Sequence, residues 1–152
     1  MFQGTLKIIE TFPLYCDEKL KVDIKAKVFS GLGEGEFFVN LYAKNIRKAL
    51  GFSPFPGTLN LKVEEPYVSA LATALNRADP IMIDPPLVPG MRLGRVLAYP
   101  ALLNYTIKVF IVRPEITVYK NDVIELVAEI KLRDLLNLTD GSEVTVTIEV
   151  PE

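Results

Sequence analysis

Three segments of the chain carry residue types and spacings that could do chemistry. The first, Ser30-Gly31-Leu32-Gly33-Glu34-Gly35-Glu36, sets a glycine at every second position. Such a backbone can come close to a ligand and turn its N–H groups inward as an anion-binding nest. It lacks the Gly-Lys-Ser/Thr ending of a P-loop, and a strand rather than a helix is expected after it. From its residues alone it is either a nest or a glycine-rich hairpin turn. In the second segment, Gly51 to Leu61, Thr58 and Asn60 lie two apart on an expected strand, so both side chains leave from one face. A hydroxyl and an amide oxygen are neutral hard donors. They suit Mg²⁺ that already carries phosphate oxygens, and they equally suit a plain polar outer face. The third segment holds Thr117 and the run Asp122 to Asp134, in which Glu125 points away from its apolar neighbours Ile124 and Leu126. Periodicity makes Glu125 a solvated strand residue, and Arg133 and Asp134 read as surface charges near a helix start.

Residues that are absent narrow the chemistry further. The 152-residue chain has no histidine, which excludes histidine-assisted nucleophiles, imidazole acid–base catalysis and histidine metal ligands. Its single cysteine, Cys16, permits neither an internal disulfide nor a CxxC site. A bound metal would have to be a hard cation held by oxygen. With 17 basic against 19 acidic residues, the chain lacks the positive field that nucleic-acid binding requires. No apolar run approaches the about 18 residues of a membrane span, and the first residues do not form a basic-then-apolar leader. A soluble, cytoplasmic protein is expected.

The elements that must position these segments are mostly strands. Leu20, Val22, Ile24, Ala26 and Val28 alternate with polar residues, as do Leu59, Leu61 and Val63, and Val144, Val146, Ile148 and Val150. Further strands are expected over Thr5 to Phe12, Phe37 to Tyr42, Leu93 to Tyr99, Tyr105 to Val112 and Asp122 to Ala128. Short helices fit Ala43 to Leu50, Val68 to Asn76 and Lys131 to Leu136, and Asp140-Gly141 marks a tight turn. Residues 78–90 hold four of the eleven prolines and read as a long surface loop. The pattern predicts one mainly β domain over residues 1–152, a small barrel decorated by short helices.

Taken in order, Gly31-Leu32-Gly33-Glu34-Gly35, Leu50-Gly51-Phe52-x-Pro54-x-x-Gly57-Thr58-Leu59-Asn60, Val123-Ile124-Glu125-Leu126-Val127-Ala128, Leu132-Arg133 and Leu138-x-Asp140-Gly141 resemble the archaeal CTP-dependent riboflavin kinases. The likeness runs from about Lys27 to Val150, and the Gly-Thr-Leu-Asn element is its most specific part. Residues 1–25 stand before it as an N-terminal extension. The resemblance implies a six-stranded cradle-loop, riboflavin-kinase-like β-barrel that moves the γ-phosphoryl of CTP to the 5′-hydroxyl of riboflavin, giving FMN and CDP. It implies that Gly31, Leu32, Gly33, Glu34, Gly35 and Glu36 wrap the nucleotide phosphates and ribose. By the same likeness Ile130, Lys131, Leu132 and Arg133 line the cytosine pocket, and Thr58 and Asn60 hold Mg²⁺. Thr117 and Glu125 would contact the flavin, with Glu125 as the carboxylate at the reacting hydroxyl, either accepting its proton or orienting the ribityl chain. Phosphoryl transfer depends on positioning and charge neutralisation, so a histidine-free chain can perform it. The chain departs from the family pattern at Glu36, Ile116 and Glu129. A monomer with riboflavin and CTP as its small-molecule partners is expected. A non-catalytic flavin- or nucleotide-binding barrel, or an interaction domain of the transcription-regulator type, is the alternative from another class.

Overall fold

The structure, a computed structural model, describes residues 19–115 and 122–151. The three alternating segments become β1 (Lys19–Phe29), β2 (Leu59–Val63) and β7 (Glu143–Pro151), and the further strands are β3 (Ile81–Ile83), β4 (Val96–Leu103), β5 (Ile107–Pro114) and β6 (Val123–Val127). All pairings are antiparallel, in the order β4-β5-β6-β2-β1-β7, and β7 returns to pair with β4. The six strands therefore close into a barrel, which leaves no open edge along their circuit. β3 lies outside that circuit and pairs with the first part of β4.

Inside the barrel, Ile24, Leu61, Leu103, Ile111, Ile124 and Ile148 are fully buried. Helix α2 (Tyr67–Arg77) packs against β1 and β7 and adds Leu71, Ala74 and Leu75 to this core. A second apolar cluster forms on the outer side of β3, β4, β5 and β6, where α1 (Glu34–Leu50) buries Val39, Tyr42 and Ile46 against Ile83, Val96, Ala98 and Phe110. The last helix, α3 (Leu132–Leu135), is a single turn between β6 and β7. Among the described residues no helix is long and apolar enough to cross a membrane.

Several sequence expectations change here. The strand expected over Phe37 to Tyr42 is helix, continuous with the one expected from Ala43, and α1 starts at Glu34. Phe37, Phe38, Val39 and Tyr42 favour strands by type, but Val39, Tyr42 and Ile46 stand at helical spacing and share one buried face. The glycine segment consequently leads into a helix and is not a hairpin turn, so the lack of a following helix no longer separates it from a P-loop. The missing Gly-Lys-Ser/Thr ending still does. Within the proline-rich loop, Ile81–Ile83 forms a short strand, at the edge position that proline-flanked strands tolerate. β4 continues through Pro100, past the expected end at Tyr99. Pro100 falls between the last residue paired with β3, Ala98, and the first paired with β7, Ala101, where a donor on that side is least needed. Residues 19–25, expected in the N-terminal extension, form the first part of barrel strand β1. The strand expected over Thr5 to Phe12, Cys16 and Thr117 lie outside the described residues.

Candidate active site

β2 and β6 build the centre of the site on their outward face. Register sets Asn60 directly opposite Glu125, while their neighbours Leu59, Leu61, Ile124 and Leu126 turn into the barrel. Thr58, two residues before Asn60, leaves from the same face, and its hydroxyl donates to Glu125 Oε1 at 3.1 Å. The spacing anticipated from sequence thus yields a cluster of one hydroxyl, one amide and one carboxylate.

The glycine segment lies on this cluster. β1 ends at Phe29, which pairs with Asn60, so the chain leaves the sheet beside that residue. A Cβ on Gly31 would collide with Asn60 Nδ2, and one on Gly35 with Thr58 Oγ1. Gly33 meets nothing within 4 Å, and its requirement is conformational: at φ 86° it is the left-handed N-cap of α1. Three alternate glycines therefore do two jobs, the outer pair allowing close approach and the middle one turning the chain into the helix. Leu32 projects outward and is 93% exposed, and Glu34 and Glu36, also exposed, stand in the first helical turn, where their charge suits the helix dipole.

A polar network fastens the segment to the C-terminal part of the chain. Arg133 pairs with Asp140 at 2.8 Å and also donates to the Phe29 carbonyl and Ser30 Oγ, both at 3.3 Å. Ser30 Oγ lies 2.9 Å from each carboxylate oxygen of Asp140. The hydrogen bonds from Arg133 and Ser30 hold the Asp140 carboxyl below the ordinary aspartate range. Gly141 N–H donates to the Val28 carbonyl at 2.7 Å, so the Asp140-Gly141 turn locks onto the end of β1.

Two clefts meet at the cluster. The smaller, about 140 Å³, is lined by Phe55, Thr58 and the run Ile130, Lys131, Leu132 and Arg133. The larger, about 280 Å³, is lined by Glu34, Phe38, Tyr42, Arg95, Arg113 and Glu125 among others. Thr58 faces one cleft and Glu125 the other, and the hydrogen bond between them spans the wall. In the larger cleft the rings of Phe38 and Tyr42 lie 4.9 Å apart, and Tyr42 Oη donates to the Gly94 carbonyl at 2.8 Å. Burial pushes the Tyr42 hydroxyl up from its ordinary pKa, so it stays a neutral donor. Arg95 makes a bidentate pair with Glu115, at 3.0 and 2.7 Å.

The structure brings Gly31, Gly35, Thr58, Asn60 and Glu125 together and sets Ile130 to Arg133 on the adjoining cleft. Sequence reading missed Phe38, Tyr42 and Arg95. The first two stand four apart, a helical signal that the strand reading of Phe37 to Tyr42 concealed. For a metal, the described residues contain no group of three or more His, Cys, Asp or Glu side chains placed to share an ion. The neutral oxygens of Thr58 and Asn60 fit an ion such as Mg²⁺, which keeps several waters and takes most of its charge balance from substrate phosphates.

Fold and site together define a class: closed six-stranded antiparallel barrels with two clefts meeting across an outer wall, unlike the P-loop kinases. The family model labelled CTP-dep_RFKase, described as a domain of unknown function, DUF120, matches residues 28–148. A riboflavin kinase of Aeropyrum pernix is 52% identical over 117 residues, covering 77% of this chain and 88% of that protein. Riboflavin kinases of Sulfolobus acidocaldarius and Saccharolobus solfataricus are 40% and 36% identical, over 84% and 85% of this chain and 81% and 75% of their own lengths. The chain belongs to the CTP-dependent riboflavin kinase family.

Proposed function

We propose that this chain transfers the γ-phosphoryl group of CTP to the 5′-hydroxyl of riboflavin, giving FMN and CDP, with Mg²⁺ as the assisting ion. The observation that carries the proposal is the Thr58–Glu125 hydrogen bond, which joins two clefts under a glycine segment seated on Thr58 and Asn60. A phosphoryl donor and an acceptor need such adjoining seats, because transfer requires the reacting atoms to be held in line and close.

In this reading the smaller cleft takes the base. It can admit a nucleobase, and the backbone of Ile130 to Arg133 can meet the base edge. The larger cleft, with its aromatic wall of Phe38 and Tyr42, suits the flat flavin ring system, and Thr117 with Glu125 would hold the ribityl chain. Between them, the N–H groups of residues 34–36 at the start of α1 favour phosphate oxygens. Thr58 and Asn60 are the side chains that would hold Mg²⁺, and the ion would neutralise charge on the transferred phosphoryl. Incubating the protein with riboflavin and each of the four nucleoside triphosphates, then separating flavins by chromatography, tests the proposal directly. FMN should form with CTP and Mg²⁺ and fail to form when EDTA is present. FMN made equally well with ATP would overturn the assignment of the base cleft.

A further inference from the structure

Glu125 touches both halves of the site, and its geometry points to a specific task. A threonine hydroxyl has one proton and two lone pairs. Because the Thr58 proton goes to Glu125 Oε1 at 3.1 Å, the lone pairs of Thr58 Oγ1 are turned away from Glu125. Those lone pairs are what a cation would use. The arrangement is fixed by the backbone, since Glu125 is held opposite Asn60 by the β2–β6 register. Gly35 lies against Thr58, where any side chain at position 35 would displace the hydroxyl.

We infer that Glu125 is a positioning residue for the cation: it aims the Thr58 hydroxyl, and so sets how strongly Mg²⁺ binds with the nucleotide. The inference rests on the proposed nucleotide and metal site and goes beyond it, because it assigns to a residue of the acceptor cleft an effect on the donor side. It also separates two tasks that a carboxylate here could have. A proton acceptor needs the charge of Glu125, whereas aiming Thr58 needs only an oxygen that accepts a hydrogen bond.

The test is the factor by which Mg²⁺, against EDTA, tightens CDP binding measured by calorimetry. The wild type should show a clear factor; if it shows none, the metal site itself is absent and the inference falls with it. Glu125→Ala should reduce that factor by about 10- to 100-fold, the usual cost of losing a group that orients a metal ligand. Glu125→Gln should stay near the wild-type factor, because the amide oxygen can take the same hydrogen bond. In a Thr58→Val background, Glu125→Ala should cause no further loss. CDP affinity in EDTA reports whether each variant retains a folded nucleotide site. A wild-type factor in Glu125→Ala, or an equal loss in Glu125→Gln and Glu125→Ala, would overturn the inference.

Discussion

Two ladders of the barrel, β1–β7 and β2–β6, have the same alternation and opposite uses. On β1–β7 the outward pairs are Lys21 with Glu149, Asp23 with Thr147, Lys25 with Thr145 and Lys27 with Glu143. These are polar partners, and Thr147, itself buried, donates from Oγ1 to Asp23 Oδ1 at 2.7 Å. On β2–β6 the outward pair is Asn60 with Glu125, joined by Thr58, and the glycine segment covers them. Both ladders send their aliphatic residues into one core. The lesson is that alternation determines which side chains leave the core, while the segment lying over them determines whether they meet solvent or a substrate.

The contrast can be broken most sharply at adjacent residues. Leu61→Ala should cost about 2–5 kcal/mol of stability, the usual range for a buried leucine. Asn60→Ala beside it should leave Tm nearly unchanged and reduce kcat by about two to three orders of magnitude, as does loss of a group that stabilises transition-state charge. Thermal melts and steady-state kinetics on the two variants separate the effects, and wild-type turnover in Asn60→Ala would remove it from the site. Next in size is a comparison within the glycine segment. Gly35→Ala, whose Cβ runs into Thr58, should weaken CDP binding by about tenfold or more, corresponding to about 1.4 kcal/mol. Gly33→Ala meets open space and should instead show a conformational penalty of about 1–2 kcal/mol in unfolding titrations. Equal effects of the two on CDP affinity would contradict the division of labour between them.

Smaller effects test the opposite ladder and the network that closes the site. Lys25→Ala on β1 should change kcat/KM little and stability by less than about 0.5 kcal/mol. A large loss of activity there would mean that the β1–β7 face has a role in catalysis. Asp140→Asn should lower Tm slightly near neutral pH. The sign follows from the depressed Asp140 pKa: its contribution is present above the ordinary aspartate value of 3.8 and is lost as pH falls below it. Melting curves of wild type and Asp140→Asn should therefore converge in acid, and a gap that persists there would assign the effect to something other than the ionised carboxylate.

Much of this arrangement was legible along the chain. Two-residue periodicity located β1, β2 and β7 closely, because a residue facing a barrel core must be apolar and its neighbours need not be. The glycine spacing, Thr58 with Asn60, and the outward direction of Glu125 were all readable. The start of α1 was not, since Phe37, Phe38, Val39 and Tyr42 have strand-like side chains and only the surface offered by β3, β4, β5 and β6 makes them helical. Pro100 looked like a strand end because its tolerance depends on where β3 stops and β7 begins. Asp140 read as a turn residue, and its tie to Ser30 spans 110 positions in the chain.

The order of residues by itself determined the barrel's inward face, the absence of histidine chemistry and the resemblance that its ordered motifs carry. These are properties of residue type and local spacing, which survive without knowledge of neighbours. Tertiary structure alone decided that Gly31 and Gly35 lie on Asn60 and Thr58, that Thr58 bonds to Glu125 across 67 positions, and that two clefts meet there. The reason is physical: strand pairing and barrel closure bring distant segments within hydrogen-bond reach, and a one-residue shift of register would turn Asn60 and Glu125 to the other face.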